Sequence, residues 1–163
     1  MTEDRTSSVE GLDNTVPSSA RWLGGLGVAP FICLAGAAPL LAGSTRILVA
    51  HALVAYGATI LSFLGGVHWG LAIGSQRVAH SGKLSGRLIV SVIPSLAGWT
   101  ALLVAESTGL LVLAAAVAAM LWVDLRATRL GQAPPWYPKL RRPLTFAVVA
   151  ALLSGAMALL TPA

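Results

Sequence analysis

The segment RILVAHALVAYGATILSFLGGVHWGLAIGSQR, residues 46–77, decides the fold. Between Arg46 and Arg77 there is no Lys, Arg, Asp or Glu. The apolar run from Ile47 to Ile73 exceeds the ~20 residues that cross a ~30 Å hydrocarbon layer at 1.5 Å per residue, so as a helix it must tilt or project. Working outward from it, four more apolar runs lie at about 26–43, 88–105, 109–125 and 144–161, each near spanning length. Five runs of this kind predict an all-α, polytopic bundle of five transmembrane helices.

Composition excludes an ordinary soluble domain. Of 163 residues, 56% are apolar and 10% charged, with a mean hydropathy of +0.79, whereas soluble domains carry about a quarter charged residues. The net charge of +5 does not mark a nucleic-acid binder, because the basic residues sit between apolar runs and not along one soluble face. Residues 1–25 place Glu3, Asp4, Glu10 and Asp13 among Ser, Thr, Gly and Pro and predict a flexible polar tail, with the membrane domain over 26–163. This tail lacks the character of a secretory signal or an organellar presequence, and the expected location is a bacterial inner (plasma) membrane. Cys33, the single cysteine, lies in an apolar run and reads as a small core residue.

Counting Lys and Arg on alternate sides of the five runs gives the orientation. Arg5, Arg21, Arg77, Lys83, Arg87, Arg126, Arg129, Lys139, Arg141 and Arg142 fall on one side, and Arg46 alone falls on the other. Basic residues in short loops favour the cytoplasm, so the N-terminus is expected inside and the C-terminus outside. Pro30 suits an early helical turn and Pro39 a kink at the outer end of the first helix. Pro94 cannot donate to the carbonyl of Val90, which Ser91 or Ser95 is expected to serve in part. Small residues at four-residue spacing mark packing faces: Ala147, Ala151 and Gly155; Ala114 with Ala118 and Ala115 with Ala119; Ser91, Ser95 and Gly98.

Candidate functional residues concentrate at the cytoplasmic ends. Helical spacing aligns His51, Ala55, Ala58, Ser62, Gly65 and Trp69 on a stripe expected to face protein. Ionisable groups within a membrane are costly and become functional candidates, so His68 reads either as a ligand or proton group or as a hydrogen-bonded structural histidine. The seventeen residues between His51 and His68 separate them by about 25 Å, which excludes one metal or haem shared between them. Gly65, Gly66 and Gly70 around His68 and Trp69 admit a neighbouring helix or a ligand. Asp124 ends the fourth run beside Arg126 and Arg129, its obvious cationic partners. Beyond it, Trp136 and Tyr137 suit the headgroup layer and Lys139, Arg141 and Arg142 suit anionic phospholipid. By topology alone these motifs share one membrane face. Gly65, Gly66, His68, Trp69, Asp124, Trp136, Tyr137 and Arg141 therefore form a candidate pocket, roofed by residues 131–143.

YGATILSFLGGVHWG at 56–70, with Asp124 and GQAPPWYPKLRRPLT ending at Thr145, resembles the transmembrane protein 69-like family, a membrane domain without an assigned activity. The resemblance covers about residues 28–160 and implies a five-helix membrane domain. Nucleophile elbow, phosphate loop, zinc and dinucleotide patterns are absent from the sequence, and no catalytic residue, metal or cofactor is assigned. The leading expectation is a noncatalytic protein that binds lipid or supports assembly of a complex. A small oligomeric transporter or channel with a cavity lined by His51, Tyr56, Ser62 and Pro94 is one alternative. A membrane enzyme or quinone-associated accessory using His68 and Tyr56 is the other. Expected partners are membrane lipids and either a second copy of the chain or a membrane complex, without nucleic acid.

Overall fold

The computed structural model describes residues 15–74 and 84–160. The tail up to residue 14 and the segment carrying Arg77, His80 and Lys83 lie outside the described residues. Among those described, the chain forms five α-helices and no strand: α1 (Ser18–Ala37), α2 (Gly43–Gly74), α3 (Leu84–Ala101), α4 (Glu106–Arg129) and α5 (Tyr137–Leu160). A single 3₁₀ turn, Ala38–Leu40, extends α1. Four of these, Ser18–Leu40, Gly43–Gly74, Glu106–Arg129 and Tyr137–Leu160, are long and apolar enough to cross a membrane. Their outward faces carry Trp22, Leu40, Phe63, Phe146 and Leu160, all more than half exposed. An apolar surface of that extent belongs in lipid.

Several boundaries differ from the sequence expectation. Helix α1 begins at Ser18, inside the segment read as tail, so Pro30 sits in the middle of the helix and not in its first turn. It withholds a donor from the Leu26 carbonyl, and the next carbonyl, that of Gly27, accepts a 3.0 Å hydrogen bond from the Tyr56 hydroxyl. Helix α5 begins at Tyr137, with Pro138 in its first turn and Pro143 within it. The segment 137–143 is therefore helical and not loop. Ser91 donates to the Leu88 carbonyl at 2.7 Å, not to that of Val90. Cys33 is exposed and faces outward, not into the core.

The bundle is assembled by close backbone approach, as expected where lipid is as apolar as the side chains. Gly65 lies directly against the Ser91 carbonyl and Pro94. A Cβ on Gly98 would stand 3.0 Å from the Ala58 carbonyl oxygen, and one on Gly109 would collide with the Ala101 carbonyl. These contacts set α3 antiparallel along α2 and return the chain to α4 at the far end. Gly155 on α5 faces the ends of Leu53 and Leu110, and Ala151 is buried beside it. On α4, by contrast, Ala114 is buried whereas Ala115, Ala118 and Ala119 face outward. The expected stripe on α2 holds in its middle, where Ala58 and Gly65 are buried, but its ends His51 and Trp69 are exposed, and Leu53, Val54, Gly57, Leu61, Leu64, His68 and Ala72 make up much of the rest of the buried face. Phe31, Leu53, Leu61, Leu110, Leu113 and Leu152 fill the centre with essentially no exposure.

Arg46 closes the end opposite His68. It donates from Nε to the Leu41 carbonyl at 2.6 Å and from Nη1 to Ala158 at 3.2 Å, taking up a carbonyl from the last turn of α5. His51 and Glu106 stand 3.8 Å apart at that same end, an exposed pair that adds little.

The packing makes a paired prediction. Gly65→Ala and Gly109→Ala, each meeting backbone, should lower stability by about 1–3 kcal/mol. Gly66→Ala, which meets nothing within 4 Å, should be neutral or stabilising by up to ~1 kcal/mol through helix propensity. Thermal unfolding in one detergent reads all three; equal loss from Gly65 and Gly66 would contradict the α2–α3 register.

Candidate functional site: a buried Asp124 cluster beside an apolar groove

Asp124 is 1% exposed, five residues before the end of α4, about 8 Å from that end by helical rise. A carboxylate in that position needs charged or donating neighbours, since burying one unpaired costs far more than a fold can absorb. Its two oxygens are served from two other helices. The Nε2–H of His68 on α2 donates to Oδ1 at 2.7 Å, and Nε of Arg141 on α5 donates to Oδ2 at 2.6 Å. All three residues are buried, His68 at 6% and Arg141 at 8% exposure. Within α4, Thr128 donates from Oγ1 to the backbone carbonyl of Asp124 at 3.1 Å.

The chain delivers Arg141 through a tight helical exit. Gly131 has φ +66°, the left-handed conformation that glycine adopts without strain. The Gln132 amide donates to the Ala127 carbonyl at 2.9 Å and the Gly131 amide to Thr128 at 3.0 Å, the paired bonds of a Schellman cap. Ala133 is buried and Pro134–Pro135 cannot continue a helix, so α5 starts at Tyr137 and runs back along α4. Arg141 then lies one turn into α5, level with Asp124.

The partner of Asp124 is therefore Arg141, seventeen residues away, and not Arg126 or Arg129. Arg126 is exposed and stacks over Trp122 at 5.6 Å. Arg141 is not a headgroup anchor, although Lys139 and Arg142 on either side are exposed. Of the eight candidate pocket residues, His68, Asp124 and Arg141 meet in one cluster, and Tyr137 lies within electrostatic reach of Asp124 and Arg141. Trp136 packs edge-on to Tyr137. Gly65 seats α3, whereas Gly66 and Trp69 point outward.

Beside the cluster, a cavity of about 370 Å³ opens between α1, α2 and α5. Ala20, Leu23, Gly24, Gly27, Val28 and Phe31 of α1 form one wall, Ile60, Phe63, Leu64 and Val67 of α2 another, and Leu140 to Val148 of α5 the third. Trp136, Tyr137 and Arg141 line its end near the cluster. Two buried side-chain atoms of residues that line the cavity, Nη2 of Arg141 and Oγ1 of Thr145, have no hydrogen-bond partner among the described residues. Thr145 carried no signal in the sequence: a lone threonine in an apolar helix ordinarily bonds its own backbone. Pro94 and Tyr56 are committed to helix contacts, and none of His51, Tyr56, Ser62 and Pro94 lines this cavity. Among the described residues no group of three or more His, Cys, Asp or Glu is arranged to hold a metal.

An apolar helical bundle, exposed hydrocarbon on its outer faces and a charge cluster sealed between three helices define a multi-pass membrane protein. The chain matches the family described as "Protein of unknown function (DUF3429)" over residues 16–157, and it belongs to that family. It is also 39% identical over 146 residues to "Transmembrane protein 69" of Xenopus tropicalis, covering 85% of this chain and 54% of that protein. The chain thus spans about half the length of this relative. The transmembrane protein 69-like resemblance of the two motifs extends over most of the bundle. No solved structure matches the chain.

Removing one member of a buried pair leaves the other charge uncompensated, so Asp124→Leu should cost about 3–5 kcal/mol. Asp124→Leu combined with Arg141→Met, which removes both charges, should recover most of that loss. Unfolding midpoints of the two singles and the double give the coupling; additive losses would mean that the pair does not operate as a unit.

Proposed function

We propose that this protein is a five-span, noncatalytic protein of a bacterial inner membrane that seats a lipid chain in the groove between α1, α2 and α5. The observation that carries the proposal is the groove itself. Its volume falls in the range of small-molecule sites, about 300–1,000 Å³, and its walls are almost wholly hydrocarbon. Leu23 and Phe63, at 70% and 64% exposure, stand on its margin where lipid would enter. Its polar end is held rigid by the Asp124 cluster, which ties α2, α4 and α5 together at that depth. In this reading His68 positions Asp124, Asp124 orients Arg141, and Arg141 faces the occupant. The acid, histidine and arginine are all engaged with one another, which favours a binding role over proton transfer.

The five-span reading has geometric support as well. Helix α3 is less apolar than the others, with Arg87, Pro94 and three serines in its eighteen residues. It nevertheless runs beside α2 from Gly65 to Ala58 and reaches Gly109 at the start of α4, so it traverses the same depth. With α3 crossing, Arg21, Arg126, Arg129, Lys139, Arg141 and Arg142 lie on the His68 side and Arg46 on the other. That asymmetry orients the His68 side toward the cytoplasm.

Two measurements test this reading. Reporters fused after residue 80 and residue 135 should be active in the cytoplasm and a C-terminal reporter in the periplasm; a cytoplasmic C-terminus would overturn the five-span arrangement. Native mass spectrometry after gentle extraction should find about one bound lipid per chain. Gly27→Leu should abolish it, because Gly27 lines the groove and a Cβ there meets no protein atom within 4 Å. Retention of the same lipid by Gly27→Leu at full occupancy would refute the groove as its site.

A further inference from the structure

The three walls of the groove are not held alike. Helices α2 and α5 are tied to one another through Asp124, which His68 and Arg141 both bond. Helix α1 has its grip on the bundle further along. Its buried residues are Val28, Phe31 and Ala35, and none of the ten residues Ser18–Gly27 is buried. Phe31 is wholly buried and packs edge-on against Tyr56 with ring centroids 4.9 Å apart, while the Tyr56 hydroxyl donates to the Gly27 carbonyl at 3.0 Å. From that bond toward Leu40, α1 belongs to the core. From it toward Ser18, α1 meets α5 where Gly24 rests against the ends of Leu144 and Leu140, which are flexible side chains and not backbone. Gly24, Gly25 and Gly27 fall within four residues there, each a poorer helix former than any residue but proline. Pro30 offers the Leu26 carbonyl no amide, so the helical ladder lacks a rung at the same place.

We propose that Ser18–Gly27 is a hinged gate on the groove: it pivots at Gly27–Pro30, and lifting Gly24 off Leu144 widens the mouth between Leu23 and Phe63 through which a lipid chain enters and leaves. This rests on the groove reading above and adds to it how the groove is loaded. The segment supplies Ala20, Leu23, Gly24 and Gly27 of the α1 wall, whereas Val28 and Phe31, the remainder of that wall, stay packed in the core. Trp136 and Tyr137 line one end of the groove and Phe31 the other, so exchange takes the side that faces lipid. Helices bend where a proline interrupts their hydrogen bonds, and clustered glycines lower the resistance to bending. An arm without a buried residue swings without unpacking the bundle, which is what separates a gate from local unfolding. The Tyr56 hydroxyl, bonded to the last carbonyl held by the core, sets the pivot. Neither Gly25 nor Pro30 lines the groove, and a Cβ on Gly25 meets nothing within 4 Å, so the hinge can be stiffened with the walls unchanged.

Spin-label distances in the full chain, reconstituted in lipid nanodiscs, read the hinge. Ser19→Cys with Arg142→Cys, in a Cys33→Ala background, joins the gate to α5; native Cys33 with Leu153→Cys joins the anchored half of α1 to α5. All four positions are exposed. The distance distribution of the first pair should be broader than that of the second by several ångströms. Gly25→Ala with Pro30→Ala, which restores helix propensity and the missing amide, should narrow it. Tyr56→Phe, which keeps the ring beside Phe31 and removes the hydroxyl alone, should broaden it further. Release of copurified lipid into neutral detergent, timed by native mass spectrometry, should slow at least ~tenfold with Gly25→Ala and Pro30→Ala. It should stop when Gly24→Cys and Leu144→Cys, again with Cys33→Ala, are oxidised to a disulfide, and resume on reduction. Equal widths for the two label pairs overturn the gate. So does a stiffened hinge that narrows the distances and leaves release unchanged. A chain from which no lipid is released because none copurifies overturns the groove reading, and the label distances then judge the hinge by themselves.

Discussion

A carboxylate withdrawn from water near the end of a membrane-embedded helix must find its compensation within hydrogen-bond reach, and in this chain Asp124 finds it on two other helices. Its oxygens are taken separately, one by His68 and one by Arg141, so neither donor can replace the other. The consequence is mechanical. Three helices that are otherwise joined by small residues and dispersion contacts acquire one shared, directional tie near the end of α4. Breaking it by removing one partner costs more than forming it contributes, because the remaining charge is left buried. That asymmetry makes such a cluster a determinant of which helices meet, more than a source of net stability.

The tie depends on how α4 ends. A left-handed Gly131 and two amide-to-carbonyl bonds turn the chain within a few residues, and the Pro-rich step to Tyr137 lets α5 begin in register with the last turns of α4. A longer connection would not hold Arg141 level with Asp124. The same turn lays Trp136 and Tyr137 over the end of the apolar groove. One local geometry thus places both the buried ion cluster and the polar end of the cavity. The site and the fold share their determinants.

Away from the cluster, packing relies on absent side chains. Gly65, Gly98 and Gly109 mark where helices approach to backbone distance, and Gly155 where leucine side chains fill the space of a missing Cβ. The groove between α1, α2 and α5 lies where this approach is interrupted: Leu144 of α5 packs against Gly24 of α1, whereas Gly27, one turn further on, faces open space. A bundle of small residues leaves space only where a larger one props it open, and here the opening faces lipid.

Much of this was legible in the residues themselves. Apolar run length and low charge content specify membrane helices because the hydrocarbon layer has a set thickness and admits few charges; the five runs became five helices, four of them long and apolar enough to cross a membrane. The small-residue face Ala147, Ala151 and Gly155 was also readable, since it depends on spacing along one helix. The positions of the helix ends were less so: residues 131–143 read as a roof over the pocket, yet α5 already begins at Tyr137, where Pro138 costs little because the first amides of a helix have no helical partner. What the sequence alone determined is the set of elements and the identity of His68 and Asp124 as costly intramembrane groups. Only the tertiary structure decided that Arg141 and not Arg126 answers Asp124, that His68 points inward while Trp69 beside it points to lipid, and that Thr145 faces a cavity. Each of these depends on the rotation of one helix about its axis relative to another. That rotation is a balance among all the contacts of the bundle and leaves no local mark in the chain.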